Sequence, residues 1–189
     1  MKKQIIHQSL SSVRIIAGKF RGRKITFPNI ASVRPTTDRL RETAFNWLQP
    51  YLDSARCLDA FAGSGILSFE ALSRHAARVI CVDQLKINTK AILANVKKLN
   101  VSQNIHVYCQ NFFSLTLQSD PFDIVFLDPP YCQGLIEKSL SFLIAKKWIN
   151  ETTIIYIEGE KNLWSQIPKT FTVLKQKMTK NITIGLMTM

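Results

Sequence analysis

The sequence predicts an α/β fold of the Rossmann-like type: a mostly parallel seven-stranded sheet with an antiparallel C-terminal hairpin, preceded by a small N-terminal β-hairpin and helix. Three observations lead there. From residue 56 onward, short near-continuous apolar runs alternate with amphipathic segments, the pattern of parallel strands covered on both faces by crossover helices. After Gly159 the alternation stops, and the runs 171–177 and 182–187 are separated by too few residues for a crossover, so they should pair antiparallel at one sheet edge. Before residue 50 the texture differs again, with two short β-like runs around a basic turn.

In chain order, residues 13–17 and 24–27 flank Gly18-Lys19-Phe20-Arg21-Gly22, a glycine-bounded turn that reads as a β-hairpin. Pro28 and Pro35 punctuate the link onward. Thr36, Thr37 or Asp38 can then cap a helix with the stripe Leu40, Ala44, Trp47, Leu48 and Tyr51, whose aromatics are expected in the core. Residues 56–61 read as the first parallel strand, 66–74 as a helix and 78–83 as the second strand. The helix over 85–99 has Ile87, Ala91, Ala94 and Leu99 as its approximate apolar face. Strands follow at 105–110 and 122–127, a helix at 135–147 and a fifth strand at 153–158. Right-handed crossovers place the C-terminal ends of these strands on one edge, where ligands bind. Residues 1–50 are thus expected as a basic extension and 51–189 as the main domain.

Of the 189 residues 46% are apolar, enough for the core of one domain with a small appendage. No apolar run approaches the roughly 18 residues of a membrane span. The first ten residues imitate a signal peptide only until His7, Gln8 and Ser9 break the apolar stretch, so a cytoplasmic protein without membrane association is expected. Cys57, Cys81, Cys109 and Cys132 are scattered without C-x-x-C spacing and read as reduced thiols. His7, His75 and His106 add no ligand pattern, and no metal site is expected. Charge is more telling: residues 1–42 hold ten Lys or Arg against two acidic residues, a net +8 of the total +12. An excess concentrated in this way points to a polyanionic partner.

Asp59-Ala60-Phe61-Ala62-Gly63-Ser64-Gly65 follows the first parallel strand and opens a helix. Glycines there let the backbone turn tightly and approach a ligand. Asp83, eighteen residues after Gly65, ends the next strand, where a carboxylate can accept from both hydroxyls of a ribose. The cofactor should therefore contain a nucleoside. Ser68 replaces the third glycine of G-x-G-x-x-G, and Asp59 would repel a pyrophosphate while attracting the cationic amino-acid end of S-adenosylmethionine. Asn111 and Phe112, after the third strand, are candidates for the adenine, by amide hydrogen bond and ring packing.

Asp128-Pro129-Pro130-Tyr131 follows the fourth strand at the same edge. The prolines fix φ and hold the loop outside the sheet. An exocyclic amine delocalises its lone pair into the ring and is a poor nucleophile. A fixed carboxylate and a neighbouring carbonyl can each accept one of its N–H groups and aim the lone pair at an electrophilic methyl. Asp128 would stabilise charge developing on that nitrogen, and Tyr131 would offer a face for the base to stack on.

Residues 59–65 resemble the first cofactor motif of class I methyltransferases, and residues 128–131 the fourth motif of their amino-methylating branch. Arg14-Ile15-Ile16-Ala17-Gly18, Arg21-Gly22-Arg23-Lys24, Arg34-Pro35-Thr36-Thr37-Asp38-Arg39, Arg41-Glu42 and Phe45-Asn46-Trp47-Leu48 resemble the RsmD-type 16S ribosomal RNA guanine-N2 methyltransferases of bacteria. So does the run 57–65 continued into Glu70-Ala71-Leu72-Ser73-Arg74. The resemblance covers nearly the whole chain, is specific up to Tyr131 and loosens after residue 160. It implies S-adenosylmethionine as cofactor and, as partner, 16S rRNA within a small ribosomal subunit or assembly intermediate, acted on by a monomer. By position, residues 128–131 would hold the guanine, 59–65 the methionine part and Asp83 the ribose. Arg21, Arg23, Lys24, Arg34, Thr36, Thr37, Arg39 and Arg41 would contact RNA, making binding salt-dependent, and the target base must be splayed out to reach the pocket. A DNA adenine-N6 or cytosine-N4 methyltransferase would use the same loop, but no insertion has room for a target-recognition region. A protein glutamine methyltransferase would begin the loop with Asn, and a non-catalytic RNA-binding module would not need Gly63, Gly65, Asp83 and Asp128 together.

Overall fold

A computed structural model of the chain describes residues 9–29, 37–130 and 134–189. Its seven-stranded sheet runs in the order β5-β4-β3-β6-β7-β9-β8, built from β3 (Arg56–Asp59), β4 (Arg78–Asp83), β5 (Ile105–Cys109), β6 (Ile124–Leu127), β7 (Ile154–Gly159), β8 (Thr172–Met178) and β9 (Thr183–Thr188). The first five strands of that order are mutually parallel. β9, inserted between β7 and β8, runs antiparallel to both neighbours, so β8 runs in the direction of the first five. The expected architecture is the observed one. The chain moves outward from β3 to β5, then returns to lay β6 beside β3. That reversal leaves a crevice outside the C-terminal ends of β3 and β6, the usual ligand position in such sheets.

Strand alternation explains the two faces. Cys57, Ile124, Phe126 and Tyr156 enter one core with α1 (Asp38–Leu52), α2 (Ile66–Ser73) and α3 (Lys86–Leu99). Leu58, Val125, Leu127 and Ile157 enter the other, with α4 (Leu135–Ala145). Because side chains alternate along a strand, runs apolar at every position are required to feed both.

Two helical stripes differ from expectation. In α1 the buried residues are Leu40, Arg41, Ala44, Phe45, Leu48 and Leu52. Trp47 is half-buried against the core, while Tyr51 is 43% exposed. In α3 the buried set is Asn88, Thr89, Ile92, Asn95, Val96 and Leu99, with Ala94 exposed. Polar residues occupy inward positions there because they have partners. Asn95 accepts from the Thr26 N–H at 3.2 Å and donates to the Thr26 carbonyl at 2.8 Å.

That asparagine ties the sheet domain to the N-terminal hairpin, formed by β1 (Leu10–Arg14) and β2 (Lys24–Pro28) with Val13 opposite Ile25. Val13, Ile15, Ile25 and Phe27 share the core of α1 to α3. The connecting turn is fastened to the end of α2. The Glu70 carboxylate accepts from Ile16 N–H at 2.8 Å and Ala17 N–H at 3.1 Å, and pairs with Arg74 at 3.0 Å. Ser73 Oγ accepts from Phe20 N–H and donates to the Ala17 carbonyl. Gly18 has φ +79, and a Cβ there would lie 1.9 Å from the Ser73 carbonyl oxygen, so only glycine allows this approach.

Candidate active site

The glycine loop is hooked onto the strands around it. The Ala60 N–H reaches the Phe126 carbonyl at 3.2 Å and Ala62 that of Val82 at 2.9 Å. Gly63 (φ 53) donates to Asp83 Oδ2 at 2.8 Å. Ser64 is buried and its Oγ accepts from the Ile66 N–H at the start of α2. Gly65 caps that helix at φ +76, where a Cβ would come within 3.0 Å of Ile92 and 3.1 Å of Phe69. Position 65 thus requires glycine, both for its backbone conformation and for the close packing of Ile92 and Phe69.

Asp83 is held as well as holding. Its Oδ2 also accepts from Asn88 Nδ2 at 3.1 Å and its Oδ1 from Leu85 N–H at 2.8 Å. These bonds fix the carboxylate at the mouth of the crevice, with Oδ1 retaining acceptor capacity. Asp59 lies deeper and is buried. Ser68 donates to its Oδ2 at 2.6 Å, and with that proton committed the Cys81 thiol is the donor toward Ser68 Oγ at 2.8 Å. Burial pushes the Asp59 carboxyl up to about 7 against the pull of the Ser68 hydroxyl, with the charge of Asp83 adding to the rise.

Asn111 is exposed and caps the short 3-10 turn Phe112–Ser114, accepting from Phe113 N–H at 2.9 Å and donating to Gln84 at 3.4 Å. Phe112 departs from expectation. It is 3% exposed, packed against Phe61 and Phe113 with ring centroids 5.4 Å away and Phe142 at 5.1 Å. Phe61, Phe113 and Phe142 around it are half-buried. An F-F pair after a strand needs one ring for the core, and sequence alone does not say which.

Asp128 leaves β6 half-buried, followed by buried Pro129 and exposed Pro130; Tyr131 lies outside the described residues. Burial raises the Asp128 carboxyl well above its ordinary range, with further contributions from the charges of Glu158 and then Asp59. Glu158, at the end of β7, was not among the sequence candidates. It is 2% exposed, accepts from the Tyr156 hydroxyl at 2.7 Å, and borders a shallow pocket with Pro129, Pro130, Leu135 and Leu163. The signal was present: Asp59, Asp83, Asp128 and Glu158 each stand at or just after the C-terminal end of a parallel strand. No group of three His, Cys, Asp or Glu among the described residues could hold a metal ion.

Of the basic candidates, Arg21, Arg23, Lys24 and Arg39 are exposed, and exposed Thr37 caps α1 by accepting from Leu40 N–H at 3.4 Å. Arg34 and Thr36 lie outside the described residues. Arg41 corrects the expectation for it. Its side chain is fully buried, and Nη2 donates to the Arg14 carbonyl at 2.6 Å and Asp38 at 3.1 Å. It fastens α1 to the hairpin rather than presenting a cation to solvent.

The family model described as Conserved hypothetical protein 95 matches residues 13–188. Over 174 residues, 91% of each chain, this one is 43% identical to "Ribosomal RNA small subunit methyltransferase D" of Buchnera aphidicola subsp. Acyrthosiphon pisum. The chain belongs to the RsmD family of methyltransferases. The RsmD relative of Escherichia coli K12 is 38% identical, over 93% of this chain and 89% of its own. The solved structure of yhhF from Escherichia coli superposes with a TM-score of 0.82 at 35% identity, covering 94% of this chain and 98% of that one. The fold of that structure is therefore shared over 94% of this chain.

Proposed function

We propose that this RsmD-family chain transfers a methyl group from S-adenosylmethionine to the exocyclic N2 amine of one guanosine in 16S ribosomal RNA, in an assembled or partly assembled small subunit. The observation that carries the reading is the placement of Asp128 and its two prolines directly across the switch point from the Gly63–Gly65 cradle and Asp83.

The residues present suit the cofactor. Asp83 can accept from the ribose, and residues 59–65 can hold the methionine part, with the Asp59 carboxylate attracting its ammonium. Bound there, the cofactor supplies a methyl group on a positively charged sulfur. Asp128 accepts one N–H of the guanine amine and a loop carbonyl accepts the other, turning the lone pair toward the methyl. As the N–C bond forms, the amine gains positive charge, which the carboxylate stabilises. The proton that the amine sheds as it is methylated can pass to the Asp128 carboxylate. Tyr131 stacks on the base, and Asn111 with the adjacent aromatic cluster meets the adenine.

Residues 1–50 are read as the RNA-binding extension and 51–189 as the methyltransferase domain of a monomer. Exposed Arg21, Arg23, Lys24 and Arg39, with Arg34, Thr36 and Thr37, approach the phosphates. No described helix is long and apolar enough to cross a membrane, and work on nascent ribosomal RNA places the enzyme in the cytoplasm.

The test uses tritiated S-adenosylmethionine with free 16S RNA, small subunits from a strain lacking the enzyme, and duplex DNA. Products are digested to nucleosides and separated. N2-methylguanosine from either ribosomal substrate supports the reading, and their ratio tells whether proteins must present the base. Label on DNA alone, or on a ribosomal protein, overturns it.

A further inference from the structure

We propose that Glu158 reads the target base, accepting the N1–H of guanine while Asp128 accepts from the neighbouring N2 amine. This rests on the guanine-N2 reading above and names the residue that makes the site selective for guanine.

The placement comes from the sheet. β6 and β7 are parallel neighbours with Leu127 opposite Ile157, so Asp128 and Glu158 follow side by side, about 4.8 Å apart at the backbone. By strand alternation both continue the face that takes Phe126 and Tyr156. The Tyr156 hydroxyl, at 2.7 Å from Oε2, fixes the rotation of the Glu158 carboxylate. Glu158 also shares a pocket wall with Pro129 and Pro130, the two residues that shape the amine-holding loop. Its charge reaches Asp128 strongly enough to contribute to that carboxyl's raised position.

Two adjacent acceptors form an unusual surface, and few base edges suit it. Guanine presents N1–H and N2–H side by side, both donors. Adenine presents its N6 amine beside an N1 acceptor, and cytosine its N4 amine beside an N3 acceptor. Either would set a ring nitrogen lone pair against the Glu158 carboxylate, a repulsion where guanine makes a hydrogen bond, which costs about tenfold to a hundredfold in rate. The amine-holding loop does not distinguish these bases; the residue beside it does. A guanine edge also brings positive hydrogen-bond density to two crowded carboxylates, which gives it an electrostatic advantage over any other base.

The experiment compares two acceptor RNAs that differ at one atom pattern. One carries guanine at the position wild type labels, and the other, made by ligation, carries 2,6-diaminopurine there. Both have an N2 amine, but N1 is a donor in the first and an acceptor in the second. Wild type should favour guanine by about tenfold or more in kcat/KM. Glu158→Gln, whose amide can donate to N1, should lower guanine turnover and raise the relative rate on diaminopurine, so that the ratio falls by about a hundredfold. Affinity for S-adenosylmethionine should stay within about twofold of wild type, on the same bookkeeping of separate sites. Tyr156→Phe, which removes the hydroxyl's restraint on the Glu158 carboxylate, should lower the ratio less, by about threefold to tenfold, and serves if the glutamine variant fails to fold. Equal losses on both RNAs in an otherwise active system would overturn the role of Glu158 alone. A wild-type enzyme that labels neither base at N2 would overturn the guanine-N2 reading and this inference with it.

Discussion

Replacing Asp59 with asparagine changes one buried charge while keeping the side-chain shape and an oxygen to accept from Ser68. Burial holds the folded carboxyl at about 7, against 3.8 for the unreacted group. A raised folded pKa means the native state keeps a proton that the unfolded chain has released. The stabilising effect is complete below 3.8 and is lost as pH rises to about 7. At about 1.4 kcal/mol per pH unit, the loss from pH 5 to pH 7 is about 3 kcal/mol. Asp59→Asn has no proton to lose, so the stability difference should shift by about 3 kcal/mol in the variant's favour between pH 5 and pH 8. Urea unfolding followed by circular dichroism at pH 5, 6, 7 and 8, without cofactor, measures this directly. Parallel curves for the two proteins would refute the claim that Asp59 is held neutral by its surroundings. The same substitution should weaken S-adenosylmethionine binding. In wild type that affinity should rise with pH toward 7 as the carboxylate forms, and in the variant the rise should be absent.

Asp128→Ala should cut single-turnover methyl transfer by about a hundredfold to a thousandfold, with cofactor affinity retained; loss of binding instead would place the residue in the cofactor site. Exchanging Arg21 and Arg23 together for Glu should weaken RNA binding and reduce the salt slope by about two, as read by filter binding at several salt concentrations; an unchanged affinity would mean the turn faces elsewhere. Gly18→Ala should cost about 2–4 kcal/mol in urea unfolding, because its Cβ meets the Ser73 carbonyl. Gly22→Ala, at the same φ of +79 but with nothing within 4 Å, should cost only about 1 kcal/mol.

What the sequence shows of this fold is set by what its patterns encode. Strand order and hairpin direction follow from near-continuous apolar runs and connection lengths, both visible in the linear chain. Inward-facing polar residues break those patterns. Asn88, Asn95 and Arg41 look like surface residues until their partners are known, and those partners are distant: Thr26 lies 69 residues from Asn95. The helical stripes of α1 and α3 were displaced for that reason. In the site, Asp59 and Asp128 stood out through neighbouring glycines or prolines, and Asp83 through its place at the end of the strand that follows the glycine loop. Glu158 had only an apolar strand before it, and its meaning appears when β7 is seen beside β6.

The helix α2 connects the parts of this protein that its proposed reaction needs together. It has eight residues, all buried, and is about 12 Å long. Its first turn starts from Gly65, and Ser68 holds Asp59. Its last turn supplies Glu70 and Ser73, which grip the chain at residues 16–20. The basic turn and the cofactor loop are therefore fixed to opposite ends of one short rigid element. On the proposed reading, an RNA held by Arg21 and Arg23 would be placed at a set distance from the methyl group without any contact to the base. Phosphate contacts provide register and carry no sequence information. On the proposed reading, selection of the base falls where the base itself arrives, between Asp128 and Glu158.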